Sequence, residues 1–90
     1  MSAFDEAVKK RAEKYDSIKH LYSKLENHKR SPSYACYQFA CTTTDPEAAA
    51  LSAADVALLV DGGNLCFGGR GYSKYEKDGV THFSGTVHTD

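Results

Sequence analysis

The stretch YSKYEKDGVTHFSGTVH, residues 72–88, decides the fold class. Asp78-Gly79 at its centre is a preferred two-residue hairpin turn, because both central positions need positive φ. The flanks carry the aromatic and β-branched residues that suit strands. Placing the turn there sets a register in which Tyr75 faces His82, Lys74 faces Phe83 and Tyr72 lies opposite Gly85, an aromatic cover for a strand glycine. A chain that gives its last third to such a hairpin builds a sheet, and the remaining residues must supply its other strands and its cover.

Just upstream, Leu65-Cys66-Phe67 reads as further β-structure and Gly68-Gly69-Arg70-Gly71 as a glycine-rich bend. This bend lacks the helix start and the Lys-Ser/Thr pair of a phosphate loop. Further back, YACYQFACT, residues 34–42, reads as a strand whose Ala35, Tyr37, Phe39 and Cys41 share the core face. Thr44-Asp-Pro-Glu47 starts a helix, with proline in the first turn and Glu47 closing a capping box on Thr44. A second box pairs Ser52 with Asp55, Leu51 staples onto Val56, and Ala53, Val56, Ala57, Leu59 and Val60 give a packing face. Gly62-Gly63 supplies the left-handed positions that end this helix.

At the N-terminus Phe4, Val8, Tyr15, Ile18, Tyr22 and Leu25 recur at spacings of three, four and seven, which predicts an amphipathic helix. It runs from about Ser2, capped with Asp5, to about His28, before Ser31-Pro32. At 1.5 Å per residue that is roughly 40 Å, more than a body of about 13 Å radius of gyration can cover. Part of it is expected to project or to pack on another molecule. The reading is α+β, in the order α-β-α-β-β, with a small, mainly antiparallel sheet and helices on one face. Ninety residues make one domain, with residues 1–30 as a basic amphipathic helix and 31–90 as a compact body ending in the hairpin.

Composition narrows the function classes. Apolar residues at 41% and charged residues at 26% belong to a folded chain. No stretch approaches a membrane span, and MSAFDEAVKK lacks the apolar core of a secretion signal, so the expectation is a cytoplasmic protein with no membrane partner. The three cysteines, Cys36, Cys41 and Cys66, are an odd set in apolar surroundings, read as reduced structural thiols. On one strand, Cys36 and Cys41 point to opposite faces, which disfavours a bridge. The net charge of −1 conceals +3 over residues 1–30 and −4 over residues 31–90. That asymmetry favours an acidic surface or a phosphate backbone, short of the charge of a dedicated nucleic-acid binder.

No local signature gathers a nucleophile, a base and an orienting group, and CxxC, HxxxH and HExxH are absent. No catalytic residue, metal ligand or cofactor is therefore assigned. The partner-binding candidates are cationic: Lys10, Lys14 and Lys24 flank the helical stripe, Arg11 falls within it, Lys29 and Arg30 extend it, and Arg70 stands among glycines. Arginine and tyrosine are the types enriched at binding hot spots, and the chain has six tyrosines and no tryptophan. The stripe also keeps a coiled-coil-like spacing interrupted by Arg11, which allows a monomer or a weak homodimer.

A tiny α+β chain with a basic helix (FDEAVKKRAEKYDSIKHLYSKLENHKR) and a compact remainder (YACYQFACTTTDPEAAALSAADVALLVDGGNLCFGG) resembles small phage-encoded proteins that block host defence, the anti-CRISPR proteins among them. The resemblance is one of size and style, and those proteins share no common motif, so no residue role is carried over. It implies a non-catalytic inhibitor that occludes a host protein or ribonucleoprotein complex, such as a CRISPR–Cas effector, in the host cytoplasm. The alternative expectation is a small nucleic-acid-binding regulator, dimeric through the first helix, with Lys10, Lys14 and Lys24 on phosphates.

Overall fold

A computed structural model of the chain describes residues 3–33, 36–62 and 69–88, with backbone alone for residues 3, 4, 33, 69, 70 and 88. Its elements are α1 (Ala3–Ile18), a 3₁₀ turn (Lys19–Lys24), β1 (Glu26–Ser33), β2 (Cys36–Thr43), α2 (Pro46–Ala49), α3 (Ala53–Val60), β3 (Gly69–Lys77) and β4 (Val80–His88). The strands form one antiparallel sheet in the order β1-β2-β4-β3. The α+β class, the N-terminal helix and the small antiparallel sheet are as the sequence predicts.

The hairpin matches in register as well as in kind. Asp78 and Gly79 have φ of 55° and 79°, the pair of positive values a two-residue turn needs. Tyr75 pairs with His82 and Lys74 with Phe83. Between Arg70 and Ser73 the ladder shifts, so Gly71 and Tyr72 together oppose Gly85. With Gly71 at φ 68°, this is a bulge whose first residue is left-handed.

The core lies between one sheet face and the helices. Tyr37, Phe39, Cys41 and Thr43 of β2 alternate inward, as do Thr81, Phe83, Gly85 and Val87 of β4. Against them pack Val56, Ala57 and Leu59 of α3, with Ile18, Leu21 and Leu25 completing the cluster. Ala35, expected on the same face, lies outside the described residues, as do Ser2, Gly63, Leu65-Cys66-Phe67 and Gly68. Thr43 is a fully buried polar residue, and it is satisfied: its hydroxyl donates to the Lys24 carbonyl at 2.8 Å and accepts from the Asp45 amide at 3.1 Å.

Two expectations at the helix ends are revised. The cap of α2 is Asp45, whose carboxylate accepts from the Glu47 and Ala48 amides, rather than Thr44 with Glu47. The reciprocal Ser52–Asp55 box on α3 forms as read, and Gly62 follows its end with φ 69°. The larger revision concerns the first helix, which stops at Ile18 instead of near His28. Its apolar spacing persists through the 3₁₀ turn, burying Ile18, Leu21 and Leu25. Leu25 is then extended, at φ −86° and ψ 137°, and Glu26–Ser33 becomes a strand.

That strand is poor in β-formers, and the reason it forms is tertiary: β2 offers an open ladder edge that backbone groups pair with whatever their side chains. Pro32 is tolerated because β1 is the outermost strand. Asn27 adopts φ 55° where the β1–β2 register shifts between Glu26 and Lys29, a second left-handed bulge. The element order is therefore α-β-β-α-α-β-β. At 16 residues, α1 is about 24 Å long. None of its residues from Asp5 to Ser17 is fully buried; Ile18 enters the core and the half-buried Tyr15 packs against it.

Candidate functional site

Strand alternation gives the sheet two unlike faces. One is the core, and the other carries no helix among the described residues. Across the strand order its middle row is Lys29, Ala40, Ser84 and Ser73. One flanking row is Ser31, Gln38, Thr86 and Arg70, and the opposite flank is Glu26, Thr42, His82 and Tyr75. Ala40 and Ser84 are short, so the centre of the face is low between taller neighbours. Two shallow depressions result, of ≈ 380 and ≈ 400 Å³, sharing Lys29, Ala40 and Ser84 on their floor and rim.

The end of this trough is aromatic. Tyr75 is 55% exposed, the highest value among the exposed large hydrophobic side chains described. Its ring stacks on that of His82, with centroids 4.6 Å apart and planes 3° from parallel. Across the strand from His82, the Asn27 amide donates to the Thr42 hydroxyl at 2.9 Å. The left-handed bulge at Asn27 brings that side chain onto the face. By register the described charges on this face are Glu26 against Lys29 and Lys77, a net +1 on a chain whose total is −1.

The cationic candidates are not one patch. Lys29 and, by backbone position, Arg70 lie on the helix-free face. Lys10 and Lys24 are exposed on the helical side, and Lys14 reaches Asp55 at 3.7 Å. Arg11 is half-buried, and its charge bears on the Tyr72 phenol. Arg30 is engaged by the fold: it donates to the Val60 carbonyl at 3.1 Å and lies 4.5 Å from the Tyr37 ring centroid. That carbonyl is at the end of α3, where a cation suits the helix dipole. Tyr37 in turn donates to Asp61 at 3.2 Å.

Burial governs the displaced titrations. It pushes the Cys41 thiol up to about 11, which keeps that thiol protonated and unreactive near neutrality. It also raises the Tyr37 phenol to about 12, helped by the Asp61 charge, and raises Asp61 above the ordinary carboxylate value. Cys36 and Cys41 are both free thiols, on opposite faces of β2, while Cys66 lies outside the described residues. Among the described residues no three His, Cys, Asp or Glu side chains gather where a metal could sit.

Sequence reasoning paired Tyr75 with His82 without assigning the pair a role. The signal was the outward series His82, Ser84 and Thr86, small and polar opposite an inward Phe83 and Val87. Comparisons with protein-family models, curated proteins and solved structures found no match.

Proposed function

We propose that this chain is a non-catalytic binding protein that inhibits a host macromolecular complex by occlusion, with the helix-free sheet face as its covering surface. One observation supports the binding half of this reading. Among the described residues, one face of the four-stranded sheet presents mainly polar side chains, a shallow trough and an exposed stacked aromatic pair, with no helix over it. A sheet commonly buries one face and offers the other to solvent or to a partner. The exposed first turns of α1, with Lys10, add a second surface on the helical side.

The inhibitory half draws on the resemblance in size and style to phage-encoded inhibitors of host defence. The target class is a protein or ribonucleoprotein assembly of the host cytoplasm, a CRISPR–Cas effector complex being the specific case. Tagged chain incubated with a purified effector complex is expected to co-elute in fixed ratio and to stop target cleavage. Ser84→Glu, which fills the trough and adds a negative charge, is expected to abolish both effects, while Lys19→Ala on the helical side leaves them intact. Full cleavage in the presence of excess wild-type chain would reject inhibition of that complex, and a Ser84→Glu variant as potent as wild type would reject the face.

A further inference from the structure

We infer that the helix-free face binds an unpaired nucleic-acid strand, with one base stacked on the Tyr75–His82 pair and the backbone phosphates on Lys29. This assignment rests on that face being the contact surface. The two rings are parallel cross-strand neighbours on β3 and β4. One face of the His82 ring is therefore turned along the sheet toward Thr42, its partner on β2. The ≈ 400 Å³ depression occupies that space, lined by Asn27, Lys29, Ala40, Thr42, Tyr75 and His82.

A planar ring seated over Thr42 would extend the stack by one member. Base–aromatic stacking tolerates any base, since every base has a π-face. The Asn27 amide donates once, to Thr42, and retains a second N–H and its carbonyl oxygen, the donor–acceptor pair that matches a base edge. Lys29 borders both depressions, so a backbone running along the trough passes its ammonium. The trough spans His82 to Thr86 on β4, about 14 Å at 3.4 Å per residue.

Charge and composition select this ligand over others. The face is net positive on a net-negative chain, which complements phosphodiesters. The residues lining its two depressions include no aliphatic side chain larger than Ala40, in contrast to the apolar centre of a protein–protein interface. Bases within a duplex are stacked on their own neighbours, so an additional ring can be inserted only from a single strand.

Fluorescence anisotropy of the full chain with labelled oligo-U, oligo-dT and a duplex, each about twelve nucleotides long, tests the assignment. Binding to the single strands is expected at about 50 mM salt, weakening steeply toward about 200 mM, with the duplex bound more weakly. Tyr75→Ala and His82→Ala are each expected to weaken binding about ten-fold, the loss of one stacking contact. Lys29→Ala should lower the logarithmic salt slope by about 0.7, the share of one phosphate on a single strand, whereas Lys19→Ala leaves affinity and slope nearly unchanged. Absence of binding at low salt, or Tyr75→Ala and His82→Ala variants that bind like wild type, would overturn the assignment. Should the chain bind no oligonucleotide yet still capture an effector complex in a Ser84→Glu-sensitive way, the face is a protein-binding surface and only the nucleic-acid assignment falls.

Discussion

Gly85 sits on β4 where a side chain has no room. A Cβ there would come 2.5 Å from Cδ1 of Tyr72 and 2.9 Å from Cε1 of Phe39. The aromatic cover expected from the register is therefore in place, and Tyr72 can lie over the glycine because the Gly71 bulge sets two residues against one. Gly85→Ala is expected to cost about 1–3 kcal/mol through overpacking, measured by urea denaturation. The Arg30–Tyr37–Asp61 cluster carries a pH signature. Tyr37 holds its proton more tightly folded, near 12, than at its ordinary 10.0, so its contribution is fully present below pH 10 and is lost as pH rises toward 12. Tyr37→Phe should lower stability at pH 7 by about 1 kcal/mol, the worth of one hydrogen bond. The gap from wild type should then narrow between pH 10 and 12, because only wild type loses stability by this route. Asp61, also raised, has the same sign at lower pH: its stabilising share is lost as pH climbs above the usual carboxylate value of 3.8.

At the scale of elements, the hairpin turn and the start of α3 are legible locally, whereas the α2 cap and the end of α1 are not. The Asp78-Gly79 turn fixed Tyr75 against His82, and the Ser52–Asp55 box located the start of α3. Ser52→Ala is expected to remove about 1 kcal/mol, seen as a lower urea midpoint with an unchanged slope. Glu26–Ser33 was illegible for a physical reason. Its charged residues and Pro32 carry no strand pattern, and Ile18, Leu21 and Leu25 keep helical spacing into a 3₁₀ turn, so the periodicity does not announce where the α-helix stops. Pairing with β2 decides the matter, and that partner becomes a template only after it has folded. The α2 cap moved by one residue because Thr43 draws the Asp45 amide inward, leaving the Asp45 carboxylate to reach the next two.

For the whole molecule, a candidate surface emerges only with the strand order. Lys29 and Tyr75 belong to opposite edge strands, and β1-β2-β4-β3 is what places them on one face. A sequence reading that seeks cations finds Lys10, Lys14, Lys24, Lys29, Arg30 and Arg70, yet it cannot separate Arg30, which closes β1 onto α3, from Lys29 beside it, which faces outward. The first helix was expected to exceed the body it serves. It is shorter than that, with every residue from Asp5 to Lys10 except Val8 exposed, and the molecule extends 46 Å along its longest axis against 18 Å along its shortest.

Both outermost strands contain a left-handed bulge, at Asn27 in β1 and at Gly71 in β3. Each interrupts the regular run of outward amide and carbonyl groups that a neighbouring molecule would need in order to dock strand against strand. Strand-to-strand docking along either outermost strand is thus disfavoured.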